Sequence, residues 1–148
     1  MWLVNVRTLK LKYFTDIRTC PPYVTLSHRW GEAEEELTFP ELLAQSETMQ
    51  TKSGYVKLIN ASTAVYLEGW LWLWIDTCCI DKRSSAELQE AINSMWAIYE
   101  HCQICIAYLS DVMFEMQTEI PKQAPLVPDA NPESIPPQFA ASNWFTRG

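Results

Sequence analysis

The sequence predicts an α/β protein built on a mostly parallel sheet, with helices on both faces in a three-layer arrangement. Three short runs rich in apolar residues predict strands at residues 23–27, 71–75 and 104–109. The densest of them, residues 71–75, has no polar side for solvent, as expected of a strand covered on both faces. Two longer segments with apolar residues at three- and four-residue spacing separate the runs and predict helices. Strands that alternate with helices usually pair in parallel, which gives the predicted fold class.

The N-terminal segment, residues 3–14, predicts a strand or a hairpin. Its apolar residues alternate with Lys10 and Lys12, which is the period of a strand with one exposed side. Two prolines end this segment before the strand at residues 23–27. The acidic run at residues 32–36 is most simply a solvated loop.

Two helices are predicted in the centre of the chain, and a proline-rich segment follows them. The first helix covers residues 55–67, and its proposed buried face consists of Val56, Ile59, Thr63 and Leu67. The second begins after Ser84, which can form a capping box with Glu87. Its proposed buried face consists of Leu88, Ile92, Met95, Trp96, Tyr99 and Cys102. Residues 115–141 predict an irregular loop or insertion, and residues 142–145 predict the start of another helix.

Composition indicates one ordered domain within residues 1–148 and disfavours several partners. The chain is 48% hydrophobic and 20% charged, with a formal net charge of −7. The absence of a basic stripe argues against nucleic acid as a partner. The longest apolar run is far short of the ~20 residues that a membrane-spanning helix needs, so we expect no membrane span.

The cysteines predict a reducing, cytoplasmic setting and no metal site. Their number is five, and the N-terminus lacks a secretory pattern. Zinc sites usually use two separated pairs of cysteines, whereas Cys78 and Cys79 are adjacent. We therefore expect the cysteines to be buried and reduced.

Polar residues follow the predicted strands where each of them ends. Ser27 and His28 close the first strand, Asp76 and Asp81 follow the second, and Ser110 follows the third. The carboxyl ends of parallel strands lie at one edge of a sheet, where ligands of open α/β sheets bind. We therefore expect these residues to converge on a common cleft.

Each candidate has a functional and a structural interpretation. Asp76 and Asp81 could orient a sugar hydroxyl, a base or a metal ion, or they could be a capping aspartate and a turn aspartate. His28 could contact a ligand or bond to a neighbouring loop. Trp30 and Gly31 could form an aromatic wall and a flexible backbone beside a planar ligand, or an anchor and a turn.

Several segments resemble the fungal heterokaryon incompatibility (HET) domain. They are TLKLKYF at residues 8–14, PPYVTLSHRWG at 21–31, WIDTCCIDKRSSAELQEAINSMWAIYEHC at 74–102, CIAYLSDV at 105–112 and SNWFTRG at 142–148. The resemblance covers nearly the whole chain. HET domains resemble TIR domains, so it implies a flavodoxin-like sheet that is incomplete at the C-terminus of this chain.

The resemblance implies a role in non-self recognition and programmed cell death, with NAD as a substrate that TIR-like domains cleave and no required cofactor. It places the expected catalytic glutamate in a helix beyond Gly148, so the chain resembles a truncated domain. The candidate ligand-binding residues are Ser27, His28, Trp30, Gly31, Asp76, Asp81 and Ser110, and the candidate catalytic carboxylates are Asp76 and Asp81. The alternatives are a non-catalytic module that associates with itself or with other incompatibility proteins, and an inactive fragment.

Overall fold

The computed structural model describes residues 1–112 and 141–146 of the chain. The chain divides into two compact units, Met1–Tyr108 and Leu109–Gly148. The predicted proline-rich segment falls almost entirely outside the described residues. Within them, no helix combines the length and the apolar content that a bilayer span requires.

The first unit contains a five-stranded sheet. Its strands are β1 (Trp2–Asn5), β2 (Lys10–Tyr13), β3 (Val24–His28), β4 (Trp72–Trp74) and β5 (Ile104–Tyr108). They lie in the order β2-β1-β4-β3-β5. The neighbours β4-β3 and β3-β5 are parallel, whereas β1 is antiparallel to both β2 and β4.

The sheet is therefore mixed, and the prediction of a mostly parallel sheet was wrong in its N-terminal part. The reason is the short connection between β1 and β2, which permits only antiparallel pairing. Asn5 stabilises this turn, since its side-chain oxygen accepts hydrogen bonds from the amides of Arg7 and Thr8, both at 3.1 Å. The hairpin then adds β1 to the free edge of β4, with Val4 opposite Leu73.

Four helices accompany the sheet in the first unit. They are α1 (Phe39–Ala44), α2 (Ser53–Leu67), α3 (Asp76–Cys79) and α4 (Ser85–His101). Residues Glu47–Thr51 form a 3₁₀ turn between the first two. The predicted capping hydroxyl is confirmed, because Ser84 Oγ accepts from the Glu87 amide at 3.3 Å. The core between sheet and helices includes Leu26, Leu58 and Trp74, each at most 1% exposed.

The buried faces of α2 and α4 differ from those predicted. The buried residues of α2 are Gly54, Lys57, Leu58, Ala61, Ser62 and Val65. Val56 and Leu67, which were predicted to be buried, are 53% and 78% exposed. On α4, the predicted Leu88, Met95, Tyr99 and Cys102 are partly buried against the core, whereas the predicted Ile92 and Trp96 are exposed and the fully buried residue is Ile98.

The described part of the second unit centres on Asp111. Its Oδ1 accepts from the Ser142 hydroxyl and its Oδ2 from the Asn143 amide, both at 2.7 Å. Asn143–Thr146 form a 3₁₀ turn, where the sequence predicted the start of a helix. Asp111 thereby caps this turn from a distant position in the chain.

Candidate functional site

The carboxyl ends of β3 and β4 place His28 and Asp76 side by side. His28 is the last residue of β3, and Asp76 opens α3 directly after β4 and Ile75. Because β3 and β4 are parallel neighbours, their ends meet at one edge of the sheet. His28 Nε2 lies 2.8 Å from Asp76 Oδ1, and the imidazole is almost fully buried. The predicted convergence of these two residues is confirmed.

Trp30 completes the surroundings of the Asp76 carboxylate. Its indole Nε1–H donates to Asp76 Oδ2 at 2.9 Å, so each carboxylate oxygen receives one donor. The Lys82 ammonium lies 4.1 Å from the centroid of the Trp30 ring, in a cation–π contact. The Trp30 indole, in a residue that is 53% exposed, therefore contacts both the Asp76 carboxylate and the Lys82 ammonium.

The pKa of Asp76 is lowered from its ordinary value of 3.8. Burial alone would raise this pKa, but the hydrogen bond from His28, the hydrogen bond from Trp30 and the positive charge of Lys82 outweigh it. Asp76 is therefore ionised at neutral pH. A carboxylate oxygen has two lone pairs, so each oxygen of Asp76 retains one for a further donor.

Two residues behind His28 were not among the predicted site residues. Lys57 Nζ lies 3.1 Å from His28 Nδ1 and 2.6 Å from Glu36 Oε1. The same Glu36 oxygen accepts from the Gly31 amide at 2.6 Å. Glu36 belongs to the acidic run that was predicted to be solvated, yet it is only 8% exposed. The position of Lys57 could have been noticed in the sequence, since it lies four residues before the apolar Ala61, on the same face of the predicted helix.

A cavity of about 360 Å³ lies beside this cluster. Its residues are Trp30, Gly31, Ala33, Glu36, Leu37, Thr38, Phe39, Pro40, Thr77, Ile80, Lys82 and Arg83. The inner wall is mostly apolar, and the two cations belong to the loop before α4. The volume lies within the ~300–1,000 Å³ typical of small-molecule sites.

Asp81, Ser27 and Ser110 were also predicted to belong to the site. Asp81 binds Arg83 through both oxygens at 2.8 Å and accepts the Arg83 amide at 3.1 Å, so it forms a turn. The Arg83 hydrogen bond lowers the pKa of Asp81. The partner of Asp81 is Arg83, whereas the partners of Asp76 are His28 and Trp30. This agrees with the alternative that Asp81 is a turn aspartate. Ser27 precedes His28 in β3, and strand alternation directs the two side chains to opposite faces. Ser110 lies in the second unit and is exposed.

The cysteines correspond only in part to the prediction. All five have free thiols, and Cys78 and Cys79 are buried. Cys105 is exposed on β5, where we expected a buried residue. Across residues 1–112 and 141–146, no group of three or more His, Cys, Asp or Glu side chains is gathered as a metal site would be.

The fold and the site together define an α/β domain with a cavity beside the carboxyl ends of the parallel strands β3 and β4. A family model described as "Heterokaryon incompatibility protein (HET)" matches residues 23–148. The "Vegetative incompatibility protein HET-E-1" of Podospora anserina is 39% identical over 128 residues. These residues cover 86% of this chain and 9% of that relative. No solved structure matches significantly. The chain belongs to the HET family.

Proposed function

We propose that the chain is a HET module of fungal non-self recognition and programmed cell death, acting in the cytoplasm through a nucleotide site. The proposed ligand is NAD. The observation that carries the proposal is the ionised Asp76 carboxylate, held by His28 and Trp30 beside a cavity of small-molecule size. Family membership and the match to an incompatibility protein support the biological role.

The fold supports a flavodoxin-like, and hence TIR-like, arrangement. The three parallel strands lie in the order β4-β3-β5, which is second, first, third along the chain. Flavodoxin-like sheets begin with this order and bind their ligands at the carboxyl ends of the strands. His28 and Asp76 occupy that edge.

The chemistry of the cavity suits the parts of a dinucleotide. Asp76 can accept hydrogen bonds from ribose hydroxyls through its remaining lone pairs. Lys82 and Arg83 can neutralise phosphates, and a guanidinium can bind a phosphate through two parallel hydrogen bonds. Trp30 and Phe39 provide surfaces for a planar base. A bound dinucleotide would then have a ribose at the Asp76 carboxylate, its phosphates at Lys82 and Arg83, and a base against an aromatic ring.

Cleavage would break the bond between nicotinamide and the ribose. Nicotinamide leaves with the bonding electron pair, an oxocarbenium-like centre forms, and water adds to that carbon to yield ADP-ribose and a proton. A carboxylate stabilises such a centre, as in glycoside hydrolysis. The resemblance assigns this role to a glutamate beyond Gly148. The residues of this chain would bind and orient the nucleotide.

Two measurements test the proposal. Calorimetric titration with NAD should show binding to the wild type, roughly a tenfold or greater loss in Asp76→Asn, and little loss in Asp16→Asn. Asp76 holds Trp30 of the cavity wall, whereas Asp16 binds Arg18 and neither of these two lines the cavity. Nicotinamide release should occur when the chain is extended by the glutamate-bearing helix, and it should require that glutamate. No binding of NAD by either form would refute the proposed site.

The second candidate is a non-catalytic module that associates with itself or with other incompatibility proteins. Ile92 and Trp96, 53% and 78% exposed, lie one turn apart on α4 and present an apolar surface. Concentration-dependent oligomers in sedimentation that Trp96→Glu abolishes, without any binding of NAD, would favour this candidate over the first.

A further inference from the structure

Four charged or titratable side chains form a continuous row beside the cavity: Glu36 lines the cavity, and Asp76, at the other end of the row, contacts the cavity wall through Trp30. Glu36 binds Lys57 at 2.6 Å, Lys57 contacts His28 Nδ1 at 3.1 Å, and His28 Nε2 contacts Asp76 at 2.8 Å. The first three are at most 8% exposed. Because each contact has hydrogen-bond geometry and little access to water, the position of every proton in the row is restricted.

The Arg29 carbonyl and the Lys57 ammonium, both near His28 Nδ1, require opposite protonation states of that nitrogen. The Arg29 carbonyl oxygen lies 3.2 Å from Nδ1 and could accept a proton from it. The Lys57 ammonium carries donors only, so it requires an unprotonated Nδ1 that accepts. Glu36 holds the ammonium in place through its short ion pair. The Lys57 contact therefore leaves Nδ1 unprotonated, and the single imidazole proton lies on Nε2, where the Asp76 carboxylate accepts it.

We propose that Lys57, held by Glu36, is a positioning residue that maintains His28 as the Nε2–H tautomer and thereby fixes the Asp76 carboxylate at the cavity. Its effect on nucleotide binding rests on the proposed function. Its effect on the imidazole does not, since the contacts lie within the protein. A histidine tautomer is generally set by the bond that its other ring nitrogen makes.

The backbone around the row is built to permit this contact. Lys57 is one turn after Gly54, whose amide donates to the Glu35 carbonyl at 2.9 Å. A side chain at Gly54 would lie 2.4 Å from the Leu37 amide nitrogen, so this glycine permits α2 to approach the acidic segment. The close approach brings Lys57 within reach of Glu36.

Nitrogen-15 NMR of the imidazole groups tests the proposal directly. The chain has two histidines, and His101 serves as an internal control because its Nδ1 faces the Ala97 carbonyl at 2.9 Å and must donate. In the wild type at neutral pH, we expect His28 Nδ1 to be unprotonated and His101 Nδ1 to be protonated. A protonated His28 Nδ1 in the wild type would overturn the proposal, and this measurement requires no variant to fold.

Substitution of Lys57 shows whether this lysine controls the protonation of His28 Nδ1 or only forms an ion pair with Glu36. In Lys57→Met, His28 Nδ1 should gain a proton and donate to the Arg29 carbonyl while Nε2 still donates to Asp76, and the His101 signals should stay unchanged. Lys57→Arg retains a donor and should restore the wild-type pattern. An unprotonated Nδ1 in Lys57→Met would show that the lysine does not set the tautomer, as would a protonated Nδ1 in Lys57→Arg.

Nucleotide titration then distinguishes this proposal from the proposed function. We expect Lys57→Met to weaken NAD binding roughly tenfold, about the effect of one hydrogen bond to a charged group. If the wild type binds no NAD but shows the expected tautomer, the nucleotide proposal fails and the positioning role stands. If NAD binds and the tautomer is reversed, the positioning role fails.

Discussion

Asp76 receives two N–H donors, one from the buried His28 and one from Trp30. An asparagine at this position has one accepting oxygen, so one donor must lose its partner. We expect Asp76→Asn to lower the free energy of unfolding at neutral pH by about 1–3 kcal/mol. Denaturant titration measures this change. Asp81→Asn is the matched control and should cost less, because its partner Arg83 is exposed to water.

The same carboxylate predicts how stability depends on pH. The pKa of folded Asp76 is lowered, so the ionised group stabilises the fold above the unfolded value of 3.8. This contribution is lost as the pH falls through the folded pKa. The difference in unfolding free energy between the wild type and Asp76→Asn should therefore be full at pH 7 and shrink in acid. A difference that is constant with pH would contradict the assignment of the charge to Asp76.

Helix α2 shows where periodicity in the sequence misleads. Its apolar residues predicted a buried face that includes Val56, but the structure buries the face that contains Lys57 and Leu58. The polar residues on that face have remote partners, since Lys57 binds Glu36. Contacts between distant segments are invisible to a pattern within one helix. The sequence predicted that His28 and Asp76 converge, because both follow the ends of predicted parallel strands. It did not indicate Lys57 and Glu36, since the contacts of Lys57 with His28 and with Glu36 join distant segments.

Two substitutions on α2, one on each of the two faces in question, test which face is buried. Leu58→Ala should lower the free energy of unfolding by about 2–5 kcal/mol, because Leu58 is 1% exposed and its removal leaves a cavity. Val56→Ala removes a similar apolar group from a site that is 53% exposed, and it should change stability by less than about 0.5 kcal/mol. Thermal or chemical denaturation of both variants provides the measurement. The reverse ranking would mean that the face predicted by periodicity is the buried one.

The N-terminus of α2 depends on a glycine. A β-carbon at Gly54 would lie 2.4 Å from the Leu37 nitrogen and 2.8 Å from the Glu35 oxygen, which are backbone atoms that cannot rotate away. We expect Gly54→Ala to cost about 1–3 kcal/mol through overpacking. Gly31→Ala is the control, since the nearest atom would lie at 3.5 Å, an ordinary contact. Equal stability of the two variants in denaturant titrations would contradict the close approach.

In the molecule as a whole, the sequence predicted strand positions better than strand order. Apolar runs mark β3, β4 and β5. Burial explains the runs of β3 and β4, which are mostly buried, whereas β5 alternates between half-buried and exposed residues. The direction in which the N-terminal hairpin joins the sheet has no such local signature. Lys10 and Lys12 indicate that β2 has an exposed side, and β2 is indeed at the edge of the sheet. Nothing in the pattern indicates that β1 pairs with β4.

Amide hydrogen exchange tests this mixed order directly. With β1 docked, β4 has neighbours on both sides, so consecutive amides from Trp72 to Trp74 should be protected. The edge strand β2 has a neighbour on one side, and its amides should alternate between slow and fast exchange because successive N–H groups point to opposite sides. If the hairpin did not pair with β4, the alternation would appear along β4 as well. Continuous slow exchange in β4 beside alternation in β2 would therefore distinguish the mixed sheet from a purely parallel one.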